Sequence, residues 1–192
     1  MTSLKLKKVV LIGASTGGPG QIHKIIQALP KLHNTSVVIA QHMSDGFLAS
    51  FVHRLEEPSL NPIKLTEDGS VFQNETLYVC EKNIRISQER EHLVFHVDSF
   101  GKNSFNPDIN KIFHSFVPFC KEIKILCVIL TGIGDDGVEA SVHLSENGAR
   151  CITETSQSAI IDGMPSRARE LVRDIEVYDI KEIVEVISEF CA

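Results

Sequence analysis

The chain has 192 residues, which is enough for one domain with a sizeable hydrophobic core. Hydrophobic residues make up 43% of the chain and charged residues 23%, which is globular composition and excludes a disordered protein. The formal net charge of −6 argues against a nucleic-acid partner, because binding to phosphates requires clustered Lys and Arg. No apolar run approaches the length of a membrane span, so we expect no direct insertion into a membrane.

The N-terminus and the cysteines indicate the cellular compartment. The first five residues lack the apolar core of a signal peptide, so we expect a cytoplasmic protein. The five cysteines are odd in number and never occur as Cys-x-x-Cys. This pattern argues against a disulfide framework and against a cysteine zinc site.

The first third of the chain alternates strands with helices. The apolar run at residues 8–12 predicts a strand buried on both faces, and residues 19–29 carry isoleucines at helical spacing. A second buried strand follows at residues 36–40, and a second helix at residues 46–55. This order implies a parallel sheet with right-handed crossovers.

The middle of the chain has a different pattern. Short extended segments lie between residues 63 and 97, and their alternation predicts an antiparallel excursion inserted into the α/β pattern. The remaining predicted elements are helices at 108–116, 138–147, 162 onward and 181–190, and strands at 125–130, 149–153 and 175–178. We therefore predict one α/β domain over residues 1–192, with a mostly parallel doubly wound sheet, helices on both faces and a small antiparallel β excursion.

A glycine-rich turn follows the first strand. Its sequence is Gly13-Ala14-Ser15-Thr16-Gly17-Gly18-Pro19. Such a strand-to-helix turn can present a nucleophilic serine or bind a phosphate at a helix N-terminus. A dinucleotide fingerprint requires glycine where Ser15 stands, and a Walker A loop requires lysine where Pro19 stands. The turn therefore favours a nucleophile over a nucleotide.

Two more strand ends carry groups that a serine nucleophile needs. His42 follows the second strand, and Asp135 and Asp136 follow the strand at 125–130. In an open α/β sheet these carboxyl ends converge on one crevice, so a Ser–His–Asp triad can assemble there. Each group also has a structural interpretation, with His42 as a core or capping residue and the aspartates in a turn or N-cap. These residues alone do not decide which aspartate acts.

The other histidines give no reason to predict a metal. His92 and His96 share one strand face, but four residues along a strand separate them by about 13 Å. Histidines on helices or loops, including His114 and His143, show no acidic or cysteine companion at ligand spacing. We expect no metal site and no cofactor.

Together the motifs resemble a known family. They are Gly13 to Pro19, Gln41-His42-Met43, Leu130-Thr131-Gly132-Ile133-Gly134-Asp135-Asp136-Gly137 and Gly163-Met164-Pro165. In this order and spacing they resemble the catalytic domain of the bacterial chemotaxis methylesterases, the CheB family. The resemblance implies hydrolysis of γ-glutamyl methyl esters on chemoreceptors with release of methanol. It also implies deamidation of receptor glutamines, because an amide can follow the same acyl-enzyme route.

The resemblance assigns roles to individual residues. Ser15 would be the nucleophile, His42 the general base and Asp136, in preference to Asp135, the orienting carboxylate. Thr16 and Ile133 would line the site, and their backbone N–H groups are candidate oxyanion donors. The family usually carries methionine where Ile133 stands, which bears on substrate fit.

The expected partner is the cytoplasmic domain of methyl-accepting chemotaxis receptors. The predicted first catalytic strand begins near residue 7, so we expect no receiver domain within residues 1–192. The alternative hypothesis is a non-catalytic receptor-binding module with the same fold.

Overall fold

The computed structural model describes residues 6–98 and 107–192. The first five residues, on which the prediction of no signal peptide rests, lie outside the described residues. The strands are β1 (Lys8–Ala14), β2 (Thr35–Gln41), β3 (Ile63–Leu65), β4 (Leu77–Val79), β5 (Ile84–Glu89), β6 (His92–Val97), β7 (Lys124–Ile129), β8 (Arg150–Glu154) and β9 (Glu176–Tyr178). The helices are α1 (Gly18–Ala28), α2 (Asp45–Glu56), α3 (Ile109–His114), α4 (Val138–Glu146), α5 (Gly163–Leu171) and α6 (Ile180–Cys191).

Seven of these strands form a parallel sheet in the order β3-β4-β2-β1-β7-β8-β9. Alternate side chains of β1 point to opposite faces, so the strand contributes to two separate cores. Helices α1, α2 and α6 cover one face, while α3, α4, α5 and the β5–β6 ribbon cover the other. The predicted doubly wound α/β fold, with a small antiparallel part, is confirmed.

One boundary of the prediction is wrong. The sequence predicts an antiparallel excursion over residues 63–97, but β3 and β4 are parallel strands of the main sheet. Only β5 and β6 pair antiparallel. Strands β3 and β4 have three residues each, which is too short for side-chain alternation to indicate a pairing partner.

The order of the strands determines where a site can form. From β1 the chain first builds toward β2, and later returns to add β7 on the other side of β1. This reversal opens a crevice at the carboxyl ends of β1 and β7. The loops after β1, β2 and β7 meet at this crevice. In the described part of the chain, no helix combines the length and the apolar composition needed to span a membrane.

Candidate active site

The turn after β1 presents Ser15 at the crevice. Gly17 has a φ of +86°, a left-handed conformation that glycine adopts without steric cost, and α1 begins at the next residue. A second glycine, Gly132, packs closely beside the serine. A Cβ at this position would lie 2.8 Å from Ser15 Cβ and would collide with the Met164 side chain. The Ser15 N–H donates to the Thr131 carbonyl at 3.0 Å, which joins the loops after β1 and β7.

The loop after β2 brings His42 to the serine. The His42 N–H donates to the Ala14 carbonyl at 3.0 Å, continuing the pairing of β1 with β2. The buried Gln41 side chain donates from Nε2 to the carbonyls of Ser15 and His42, both at 2.8 Å. Gln41 therefore fixes the nucleophile loop relative to the histidine loop. Gln41 is part of the Gln41-His42-Met43 motif, but no pattern in the sequence predicts that its side chain joins these two loops.

Ser15, His42 and Asp136 form one chain of hydrogen bonds. Ser15 Oγ lies 3.2 Å from His42 Nδ1, and His42 Nε2 lies 2.6 Å from Asp136 Oδ2. The carboxylate can only accept, so Nε2 carries the proton toward Asp136 and Nδ1 is left to accept the serine proton. The side chains of His42 and Asp136 are 12% and 3% exposed, which excludes most water from this pairing.

Asp136 is held by the first turn of α3 as well as by His42. The Ile109 N–H donates to Oδ2 and the Asn110 N–H donates to Oδ1, both at 2.9 Å. These are N–H groups that a helix leaves unpaired at its N-terminus, where the helix dipole also favours an anion. Two backbone donors and His42 therefore fix the orientation of this carboxylate.

The two adjacent aspartates have different environments. Asp136 is buried within the hydrogen-bonded chain, whereas Asp135 is exposed and its carbonyl accepts from Val138 at the start of α4. The structure thus brings Asp136 to His42 and leaves the side chain of Asp135 exposed. Without the family resemblance the sequence does not distinguish Asp136 from Asp135. The two backbone donors that hold Asp136 come from a helix 26 to 27 residues earlier in the chain.

A second buried carboxylate supports the loop after β7. Glu154 accepts from the Thr131 N–H at 2.7 Å and from Gln21 and Ser158 at 2.9 Å. Burial raises the pKa of Glu154, and these hydrogen bonds lower it by less. Thr131 also donates from Oγ1 to the Thr16 carbonyl at 2.9 Å, so Glu154 supports the nucleophile turn without touching Ser15.

The two predicted oxyanion residues belong to the two loops that meet at Ser15. Thr16 follows the serine directly and is exposed, and Ile133 follows Gly132 and is 62% exposed. The N–H groups of Ser15 and Gly132 are already donated to the carbonyls of Thr131 and Ile161. Within residues 6–98 and 107–192 the N–H groups of Thr16 and Ile133 have no partner, so both stay candidate donors.

The cysteines are poor alternatives to Ser15 as a nucleophile. Burial raises the pKa of Cys80 to about 12 and, despite the charge of Lys8, that of Cys191 also to about 12. Burial and the neighbouring Cys151 raise the pKa of the half-buried Cys120 to about 11. A thiolate is the reactive form of cysteine, so these groups are unreactive near neutral pH.

One statement about the histidines is wrong. The sequence predicts no acidic companion at ligand spacing for His114 or His143, but the structure places both beside Glu139. Glu139 precedes His143 by one helical turn, and His114 comes from the neighbouring helix α3. The i, i+4 spacing on α4 is visible in the sequence, whereas the packing of α3 against α4 is not.

A hydrogen-bonded Ser–His–Asp arrangement at the carboxyl edge of a parallel α/β sheet is that of the serine hydrolases. The CheB methylesterase family profile matches residues 10–187. The chain belongs to this family.

Relatives and a solved structure agree with this assignment. The chain is 34% identical over 188 residues to protein-glutamate methylesterase/protein-glutamine glutaminase 2 of Carboxydothermus hydrogenoformans, covering 95% of this chain and 53% of that protein. It is 33% identical over 186 residues to the Bacillus subtilis protein-glutamate methylesterase/protein-glutamine glutaminase, covering 95% and 51%. The chain thus spans about half the length of these curated relatives. The crystal structure of the Thermotoga maritima CheB methylesterase catalytic domain superimposes with a TM-score of 0.87 at 30% identity, covering 95% of this chain and 98% of that one.

Proposed function

We propose that the chain is a protein-glutamate methylesterase that hydrolyses γ-glutamyl methyl esters on the cytoplasmic helices of chemotaxis receptors. The single observation that carries the proposal is the hydrogen-bonded chain from Ser15 Oγ through His42 to Asp136. The names of the relatives supply the substrate class, and the local geometry is consistent with acyl transfer. We place this activity in receptor adaptation during chemotaxis, in the cytoplasm.

The first half of the reaction acylates Ser15. Its Oγ attacks the ester carbonyl while His42 Nδ1 takes the hydroxyl proton, and Asp136 stabilises the imidazolium that forms. The tetrahedral oxyanion accepts hydrogen bonds from the backbone N–H groups of Thr16 and Ile133. When the intermediate collapses, the C–O bond to the methoxy group breaks and His42 returns its proton, so methanol leaves.

The second half of the reaction releases the receptor carboxylate. Water donates a proton to His42 Nδ1 and attacks the acyl-serine, and the collapse of the second oxyanion restores Ser15 with its proton. A receptor glutamine follows the same path with ammonia as the leaving group. The deamidase activity is therefore part of the proposal.

Exposed apolar side chains flank the serine and suit a receptor helix. Ile133 follows Gly132, which packs beside Ser15. Ile160 packs against Gly17 in the turn that carries Ser15. Both isoleucine side chains are largely exposed. A methyl ester on a helix presents an uncharged side chain among apolar neighbours, which these isoleucines can contact. A free carboxylate would lose hydration there, which favours product release.

The deciding experiment measures methanol release from methylated receptor membranes. We expect Ser15→Ala to lower the rate by at least about 10³-fold, because triad members act as a unit. Ser50→Ala is the matched control, since this exposed hydroxyl donates to the Phe47 carbonyl within α2 and lies outside the proposed site. Circular dichroism should be unchanged in both variants.

Two outcomes would count against the proposal. A Ser15→Ala protein with near-normal methanol release would exclude Ser15 as the nucleophile. A wild-type chain that binds receptor but releases neither methanol nor ammonia would support a non-catalytic receptor-binding module. Labelling of Ser15 by a serine-directed phosphonate, lost on His42→Ala, separates a competent triad from that module.

A further inference from the structure

The cluster of His114, Glu139 and His143 lies outside the residues assigned to ester hydrolysis. Each residue offers one ligand atom, and the three atoms lie within 4.8 Å of one another. The two imidazole rings have centroids 4.8 Å apart. We propose that this cluster is a binding site for a divalent zinc ion, with two histidines and one glutamate as protein ligands.

The donor set fits zinc better than the other common divalent ions. Two imidazoles with one carboxylate is a ligand set found in zinc sites that keep a fourth position for water. Mg²⁺ and Ca²⁺ prefer oxygen ligands, so imidazoles disfavour them. Glu139 is exposed, and this leaves room for the water ligand.

The proposed ligands come from two neighbouring helices that are joined by a hydrogen bond. Glu139 and His143 are four residues apart on α4 and therefore share one face of the helix. Asn110 Oδ1 accepts from the Ala140 N–H at 3.0 Å and fastens α3 to the same part of α4. Ligand atoms in a tetrahedral zinc site lie about 3.3 Å apart, so shifts of roughly 1 Å by side-chain rotation close the set.

Two features of the surroundings favour a cation at this position. His143 lies in the last turn of α4, where the helix dipole attracts positive charge. His114 and Glu139 also line a cavity of about 540 Å³ in which carboxylates outnumber cations. The other charged residues lining this cavity are Arg85, Asp98, Asp108, Lys111, Asp135 and Asp136.

Glu146 lies close to one of the proposed ligands. Its Oε2 lies 3.6 Å from His143 Nδ1, which favours Nε2 of that ring as the ligand atom. A carboxylate on the distal nitrogen is the usual support for a zinc-bound histidine. Zinc at this position would link the last residue of α3 to α4. It would thereby stabilise the helix whose first turn holds Asp136.

The test uses the whole chain after removal of metals with a chelator. ZnCl₂ is titrated against a chromophoric chelator, and we expect one equivalent to bind. We expect His143→Asn, His114→Asn and Glu139→Gln each to weaken the affinity at least about tenfold, because even changes next to a ligand cost 10–100-fold. MgCl₂ should not compete.

Two control variants exclude other sources of binding. His53 forms a pair with Glu56 on α2 at 3.8 Å and is 86% exposed. Among the described residues no third ligand joins this pair, so His53→Asn removes a comparable histidine–glutamate pair. Cys120→Ser removes the half-buried thiol. Both variants should bind zinc as the wild type does.

A second measurement keeps the test decisive if a ligand variant is less stable. Co²⁺ in place of zinc should give the intense visible absorption of tetrahedral coordination in the wild type and in His53→Asn. That absorption should be absent in His143→Asn. The proposal would be overturned if the wild type and His143→Asn bound zinc with equal affinity. It would also be overturned if zinc bound at several weak sites that none of the three ligand substitutions affects. Either result would mean adventitious surface binding only.

Discussion

Two buried carboxylates lie at the ends of neighbouring strands, Asp136 after β7 and Glu154 at the end of β8. Asp136 accepts two backbone N–H groups and faces an imidazole that can become charged. Glu154 accepts from an amide, a hydroxyl and a backbone N–H, all uncharged donors. Both carboxylates are buried. The hydrogen-bond partners of Asp136 include a histidine that can become charged, whereas those of Glu154 are uncharged.

The difference separates a role in the reaction from a role in the fold. In the proposed reaction, a proton arrives on the imidazole beside Asp136, and the negative charge of the carboxylate stabilises it. No comparable charge develops beside Glu154, whose hydrogen bonds connect Thr131, α1 and the loop after β8. Substitution of Asp136 should therefore mainly change the rate, and substitution of Glu154 should mainly change stability.

The largest expected effect is that of Asp136→Asn on catalysis. The amide keeps the shape of the side chain but loses the charge and disturbs the histidine tautomer, so we expect kcat to fall by about 10⁴-fold. Steady-state methanol release measures this change. Asp135→Asn is the matched control and should stay within about threefold of wild type, because Asp135 is exposed, whereas Asp136 is buried against His42. Equal losses in the two variants would contradict the assignment of Asp136.

The hydrogen bonds of Asp136 mark the limit of what the sequence could predict. In a parallel sheet the carboxyl ends of the strands lie at one edge, and this alone predicts that Ser15, His42 and an aspartate meet. The choice of Asp136 depends on the Ile109 and Asn110 N–H groups, and their position comes from the packing of α3. No short-range sequence pattern encodes that contact.

Glu154 was missed for a related physical reason. The predicted strand ended one residue earlier, at position 153, and a glutamate after a strand is usually exposed. Its burial depends on donors from α1 and from the loop after β8, which lie far apart in sequence. The same limit explains why the short parallel strands β3 and β4 were assigned to the antiparallel excursion. Helices and long buried strands were predicted well because their periodicity is local.

The next effect in size is that of Glu154→Leu on stability. Leucine has no acceptor, so the buried Thr131 N–H loses its partner, and we expect the free energy of unfolding to fall by about 1–3 kcal/mol. Urea unfolding measures this loss. Methanol release should fall by at most about 10²-fold, through displacement of the loop that holds Ser15. If Glu154→Leu lost as much activity as Asp136→Asn, Glu154 would have a role in the reaction and not only in the fold.

The smallest expected effect concerns the pH dependence of stability. Burial raises the pKa of Glu154 above 4.5, so between pH 4.5 and its folded-state pKa the folded protein holds a proton that the unfolded chain has released. The contribution of Glu154 to stability is therefore most favourable at low pH and declines as the pH rises through that window. Glu154→Gln cannot titrate and lacks this decline. Urea unfolding from pH 4 to pH 7 should show the stability of the variant, relative to wild type, improving as the pH rises. Parallel curves for the two proteins would mean that burial does not raise the pKa of Glu154, and would contradict this prediction.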